Sequence, residues 1–259
     1  MTAITRRISY GAIGTAVATI LFSCSNDVTE STTRDFTSAQ IAVGAGLAWT
    51  EMTVDRSNSI QSMALVFTEG TLSNLPTTLP GTEFIIPLPS QGPASVFNHV
   101  GINWQPQGHP PPMVYTVPHF DVHYYLVSIQ ERDAMTPADP QFGAKGARAP
   151  SAAEAPPGYT GDPFAIPRMG AHYLDMQSHE FRGLPFTSTM VYGFYDGKMV
   201  FIEPMMTKAY LESKPNDTMA IRVPSAYPKP GRYPTQYRVV HDAATKRTRV
   251  ELSRFENRG

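Results

Sequence analysis

The stretch Pro118-His119-Phe120-Asp121-Val122-His123-Tyr124-Tyr125-Leu126-Val127 alternates apolar residues with residues that could do chemistry. As a strand it would send Phe120, Val122, Tyr124 and Leu126 to one face, and His119, Asp121, His123 and Tyr125 to the other. Same-face neighbours lie about 6.6 Å apart at Cα, so His119 with Asp121, or Asp121 with His123, can converge on one point. Two imidazoles four positions apart cannot share an ion on a flat strand. Imidazole nitrogens with carboxylate oxygens on a β scaffold form a donor set for zinc foremost, and for iron, manganese or copper.

Further candidate ligands flank the strand. His109 sits in the rigid Gly108-His109-Pro110-Pro111-Pro112 loop, His172 in Gly170-Ala171-His172-Tyr173-Leu174-Asp175, and Glu203 just before Pro204. The expectation is one polar pocket in which His123, His172 and either His109 or His119 converge, with Asp121 or Glu203 in contact. A divalent ion there lowers the pKa of bound water, and a spare carboxylate can serve as general base. The His-x-Asp-x-His order departs from the His-x-His strands of cupin-type oxygenases and carbonic-anhydrase-like lyases, and no helix-borne HExxH is present. The alternative is a non-catalytic envelope module that binds a ligand or self-assembles, in which Asp121 orients a histidine within a buried hydrogen-bond network. Methionine-rich and aromatic segments such as Met199–Met206 would then serve subunit contacts or the core. His99, His179 and His241 read as structural. Neither a Gly-x-Ser-x-Gly elbow nor a phosphate-binding glycine loop occurs, which excludes the commonest serine-hydrolase and nucleotide-binding classes.

The elements that must position these groups are strands. Strand-like runs fall at Leu47–Val54, Met63–Thr68, Glu83–Leu88, Val96–Trp104, Pro118–Ser128, Thr189–Tyr195, Lys198–Glu203, Gln236–His241 and Arg247–Leu252. Asp196-Gly197 supplies the turn that a twisted hairpin prefers, and Asp242–Lys246 closes a second hairpin. Ile129–Met135 and Met205–Ser213 read as short helices. Residues 136–167 hold many prolines and few apolar side chains, the mark of a long surface excursion. The 24 prolines argue against long helices. The fold expected is all-β, a sandwich or barrel, with one or two short helices and a long irregular insertion, as a single domain over residues 41–259.

Before that domain the chain has the order of a bacterial export signal. Arg6 and Arg7 precede an uncharged, largely apolar run from Ile8 to Ser23, too short for a stable span. Leu21-Phe22-Ser23-Cys24 resembles a lipobox, which implies cleavage before Cys24 and lipidation of that residue; acyl chains then anchor the protein at the membrane. Residues 24–40 read as a flexible tether, and the expected location is the cell envelope, at the outer membrane or periplasmic face of a Gram-negative host. Cys24 is the only cysteine, so no disulfide or thiolate metal site is available to the domain. Without residues 1–23 the chain holds 19 basic and 22 acidic residues, a balance that implies no nucleic-acid partner. The partners expected are the membrane, through the lipid, and a further copy of the chain.

Phe97-Asn98-His99-Val100, Trp104–Pro110, Val117–Tyr125, Gly170–Asp175, Tyr192–Gly197 and Phe201–Met205, in that order, resemble a bacterial family of exported proteins known only as a domain of unknown function. The resemblance spans about residues 40–255 and is most specific around PHFDVHYY. Tyr173 stands where the family carries tryptophan. It implies export and a β-rich domain, and it supplies no reaction.

Overall fold

A computed structural model describes residues 1–2, 32–162 and 164–259. The export segment, Cys24 and residues 25–31 of the expected tether lie outside the described residues. Residues 32–259 form one unit. Its strands are β1 (Thr33–Thr37), β2 (Ile41–Val43), β3 (Gly46–Asp55), β4 (Ile60–Thr68), β5 (Thr82–Pro87), β6 (His99–Gln105), β7 (His119–Tyr125), β8 (Tyr159–Gly161), β9 (Ala171–Asp175), β10 (Ser188–Tyr195), β11 (Lys198–Thr207), β12 (Asn216–Ala220), β13 (Gly231–Asp242) and β14 (Arg247–Arg258). Three short helices accompany them: α1 (Ile129–Asp133), α2 (Phe142–Gly146) and α3 (Lys208–Glu212). All strand pairs are antiparallel. One sheet runs β1-β3-β4-β14-β13-β12 with β2 beside β3, and the other runs β5-β6-β7-β11-β10-β9-β8. The fold is an all-β sandwich.

Alternation makes the core. Met52, Val54, Met63, Leu65, Phe67, Val250 and Leu252 from the first sheet meet Val100, Ile102, Phe120, Val122, Tyr124, Tyr192 and Ile202 from the second. At the centre Tyr124 ties the sheets with a polar bridge: its hydroxyl donates to the Val250 carbonyl at 2.6 Å and accepts from the Leu65 amide at 2.8 Å. Both hairpin turns form as expected. Asp196 (φ 54°) and Gly197 (φ 76°) take the two positive φ values that a tight hairpin turn needs. Asp242 accepts hydrogen bonds from Ala244 and Thr245 in the turn before β14.

Three expectations are corrected. The tether does not reach residue 40, because Thr33–Thr37 is already β1, registered on Asp55–Glu51 of β3. Its side chains lie mostly in solvent, so the polar composition that suggested a tether is that of an exposed edge strand. The second helix begins at Lys208, not Met205, since Met205 and Met206 are buried in β11. The excursion at 136–167 contains α2 and β8, and β8 extends the second sheet through β9. That segment covers the outer face of the second sheet, with Phe142 packing beside Met135, Met169 and Phe201.

Candidate metal centres

The alternation of β7 holds, but its polar face meets neither solvent nor the interior of a barrel. Phe120, Val122 and Tyr124 enter the core between the sheets. His119, Asp121, His123 and Tyr125 point outward and are buried all the same, as is every residue of the strand. Two small apolar clusters form the cover. Tyr125, Met135, Met169, Val200 and Phe201 lie to one side, and Tyr115, Phe186, Val191 and Met205 to the other. A polar stripe is enclosed between them.

Along that stripe the six candidate ligands divide into two trios, where one pocket was expected. Among the described residues, His109, His119 and Asp121 each bring one ligand atom within 4.8 Å of the others, and so do His123, His172 and Glu203. The division follows from register. Phe201 and Ile202 of β11 pair with Tyr125 and Tyr124 of β7, and pairing resumes at Met205 opposite Asp121. Glu203 is thereby brought beside His123, and Met205 beside Asp121. Pro204 falls in the gap, where its missing N–H removes a ladder bond.

In the trio of His123, His172 and Glu203, Nε2 of His123 lies 3.5 Å from Glu203 Oε1, and Nε2 of His172 lies 3.8 Å from Oε2. The rings of His123 and His172 are 6.3 Å apart, centre to centre. Phe201 packs edge-on against His123 at 4.6 Å and leans on His172 at 5.3 Å, which fixes both imidazoles. Gly193 makes that possible: it pairs with Phe201 on one side and His172 on the other, and a Cβ there would lie 2.2 Å from the Phe201 ring. Neither nitrogen of His123 has a hydrogen-bond partner, nor has Glu203 Oε2, and all three atoms are buried. Burial holds the His123 imidazole down at about 3 and that of His172 at about 4. The Glu203 carboxyl is pushed well above its ordinary value by burial and then by the Asp121 charge.

The other trio differs in its supports. Nδ1 of His119 faces the Val117 carbonyl at 2.7 Å, and Nδ1 of His109 faces the Pro110 carbonyl at 2.7 Å. A carbonyl only accepts, so in both rings the proton is on Nδ1 and Nε2 is turned toward Asp121, at 3.0 Å for His119 and 3.6 Å for His109. Gln105 donates to Asp121 Oδ2 at 3.1 Å and sets the carboxylate plane. His119 Nε2 and Asp121 Oδ1 remain without a hydrogen-bond partner. Burial works against ionisation of Asp121, but His119 and His109 facing it hold its carboxyl well below the usual carboxylate range.

Each trio has two buried ligands and one that reaches solvent: the side chain of His109 is 33 % exposed and that of His172 18 %. Those two histidines mark the side from which an ion or ligand would enter. Sequence reading missed Gln105, Phe201 and Gly193 as supports, and it missed Tyr115, whose ring packs on both His109 and His119 while its hydroxyl donates to buried Glu180 at 2.9 Å. Only Gly193 left a signal, as a glycine in the middle of a strand of aromatic and β-branched residues. Of the histidines read as structural, His99 stacks on Tyr125 and His241 Nδ1 meets the Thr248 hydroxyl at 3.1 Å.

A family model described as "TTHB210-like: Hypothetical protein TTHB210" matches residues 55–104. The likeness is local. It runs from the end of β3 through Trp104 of β6 and contains none of the six candidate ligands. No curated protein and no solved structure matches the chain.

Proposed function

We propose that this is an exported, lipid-anchored envelope protein whose folded domain binds a divalent metal ion through His123, His172 and Glu203. The carrying observation is the lack of protein partners in that trio: a fully buried imidazole with both nitrogens unpartnered, next to a buried carboxyl with an orphaned oxygen. Leaving a buried donor or acceptor unpaired costs about 1–3 kcal/mol per group. One cation at 2.0–2.2 Å from each ligand would satisfy His123 Nε2 and the Glu203 carboxylate together, leaving His123 Nδ1 aside because an imidazole binds one ion through one nitrogen, and such bonds place neighbouring ligands roughly 3.0–3.5 Å apart. The 3.5 and 3.8 Å carboxylate–imidazole separations need only a small contraction to reach that range. The donor set of two histidines and one carboxylate fits zinc and also iron, manganese or copper.

Three protein ligands leave at least one position open, so a bound ion would act as a Lewis acid toward water or a substrate oxygen. This chain's residues supply the rest. Phe201 keeps the imidazoles in place, the apolar clusters exclude water from the buried side, and the partly exposed His172 leaves a way in. Elemental analysis of the purified full chain, before and after chelation, tests the reading. Stoichiometric metal that is lost in His172→Ala supports it, and a chain that takes up no zinc, iron, manganese or copper refutes it.

Export and anchoring are supported by Arg6-Arg7, the apolar run to Ser23 and the lipobox-like Leu21–Cys24. Cys24→Ser is expected to move the protein from the membrane to the soluble fraction with its β-rich circular dichroism unchanged, because the anchor precedes the folded unit. Retention in the membrane fraction would refute a lipid anchor at Cys24.

A further inference from the structure

We infer that His109, His119 and Asp121 form a second, separate divalent-metal site, so that the domain carries two ions side by side along β7. The inference extends the proposed metal-binding function but stands on different side chains. Its first support is the direction of the rings. With Nδ1 protonated and bonded to the carbonyls of Val117 and Pro110, a neutral imidazole offers only a lone pair at Nε2. Both Nε2 atoms lie beside Asp121, at 3.0 and 3.6 Å, and its carboxylate oxygens also only accept. His119 Nε2 and Asp121 Oδ1 lie 3.0 Å apart, yet they do not make the hydrogen-bond geometry that a proton on Nε2 would give. A buried carboxylate flanked by two imidazole Nε2 atoms needs positive charge beside it; a proton on His119 Nε2 would supply it only through the hydrogen bond that is not made, whereas an ion between the three atoms needs no such alignment.

The spacing agrees. Ligand atoms 2.0–2.2 Å from a common ion are about 3.0–3.5 Å from one another, and Asp121 is 3.0 Å from one imidazole and 3.6 Å from the other. The surrounding contacts are of the kind that orient metal ligands: each histidine donates its second ring N–H to a backbone carbonyl, and the carboxylate accepts from Gln105. The loop that delivers His109 is held in place, with the His109 amide donating to the Tyr115 carbonyl at 3.2 Å. Gly108 has φ 71°, and a Cβ there would lie 2.0 Å from that same carbonyl oxygen, so only glycine allows the loop to close over β7.

The two sites are distinct because Asp121 and His123 are successive same-face residues, about 6.6 Å apart at Cα. Met205, not a second carboxylate, is the β11 neighbour of Asp121. That step exceeds the 3.5–4 Å at which two ions share a bridging oxygen, so the two sites share no ligand, and each takes a borderline divalent ion such as zinc.

The test is zinc stoichiometry of the full chain by native mass spectrometry and competition titration, with circular dichroism confirming the fold of each variant. Wild type is expected to bind two zinc ions per chain, His109→Ala one, His172→Ala one, and the double variant none. His109 is partly exposed, so its truncation leaves the fold intact, and the affinity of the affected site should fall more than about 100-fold, beyond the loss typical of an orienting residue. One zinc in wild type, lost with His172→Ala and untouched by His109→Ala, overturns this inference and leaves the proposed function standing. Two zinc ions that both survive His109→Ala also overturn it. No zinc at all in wild type defeats both.

Discussion

Replacing His123 by Leu and Glu203 by Met in the same chain separates a metal centre from a structural network. In the metal-free protein the two side chains leave His123 Nδ1, His123 Nε2 and Glu203 Oε2 buried without partners. Each such atom costs about 1–3 kcal/mol. Apolar side chains of similar volume remove all three, and the only group deprived is His172 Nε2, which reaches water. Exchange of a buried polar pair for well-packed apolar residues is neutral or stabilises by about 1–4 kcal/mol. The metal-free double variant should therefore be at least as stable as metal-free wild type.

Metal reverses the order. At a free zinc concentration 100-fold above Kd, wild type gains about 2.7 kcal/mol from this site, equivalent to roughly 5–11 °C in Tm for a domain of this size. The variant loses that increment. Urea unfolding followed through Trp49 and Trp104, both buried, gives the stabilities with chelator and with zinc. A metal-free variant destabilised by about 3 kcal/mol or more, with an undiminished zinc shift, would refute the reasoning. That result would mean that His123 and Glu203 support each other through a hydrogen bond and hold no ion.

Other parts of the fold make independent predictions. Tyr124→Phe strands the Leu65 amide and the Val250 carbonyl between the sheets, and should cost about 1–3 kcal/mol in urea unfolding without changing zinc uptake. Gly193→Ala drives a methyl into Phe201 and should destabilise by about 1–3 kcal/mol while weakening zinc binding at the His123 trio more than at the His119 trio, measured by competition titration. Burial, and then the Arg132 charge, hold the His99 imidazole down at about 4, so the unfolded chain takes up this proton first as pH falls. Stability from this group is complete above about 6.5 and is lost between about 6.5 and 4. His99→Phe, which keeps the stack on Tyr125, should flatten that limb by up to about 1.4 kcal/mol per pH unit, read from urea midpoints across the window.

The strands were legible where burial is one-sided or complete. β3, β4, β5, β6, β7, β10, β11, β13 and β14 all carry alternating or continuous apolar runs, and the Asp196-Gly197 turn announced its hairpin. The strands that could not be read, β1, β2, β8, β9 and β12, are no longer than five residues: β1, β8 and β12 bury little, β2 and β9 are too short or too partly buried to show a period, and pairing alone makes them strands. The metal-ligating types were visible as types. Gln105 and Phe201 were not visible as supports, because their roles depend on which residue stands across the ladder.

The same dependence explains why one expected pocket became two trios. Alternation along β7 places His119, Asp121 and His123 on one face without saying what the next strand sets beside each. With Ile202 opposite Tyr124, β11 delivers Glu203 to His123 and Met205 to Asp121. A slip of β11 by two residues would preserve every inward-facing side chain, yet it would set Glu203 against Asp121 and leave His123 beside Phe201. Two buried carboxylates in contact would repel, and only one ion-sized cluster would remain. The observed register keeps the carboxylates apart, gives each a pair of imidazoles, and is held by residues with no part in the chemistry: Tyr124 bonded across to the first sheet, and the Asp196-Gly197 turn that sets β11 on β10. The number of candidate sites on this face is therefore a property of strand register before it is a property of the residues that could serve as ligands.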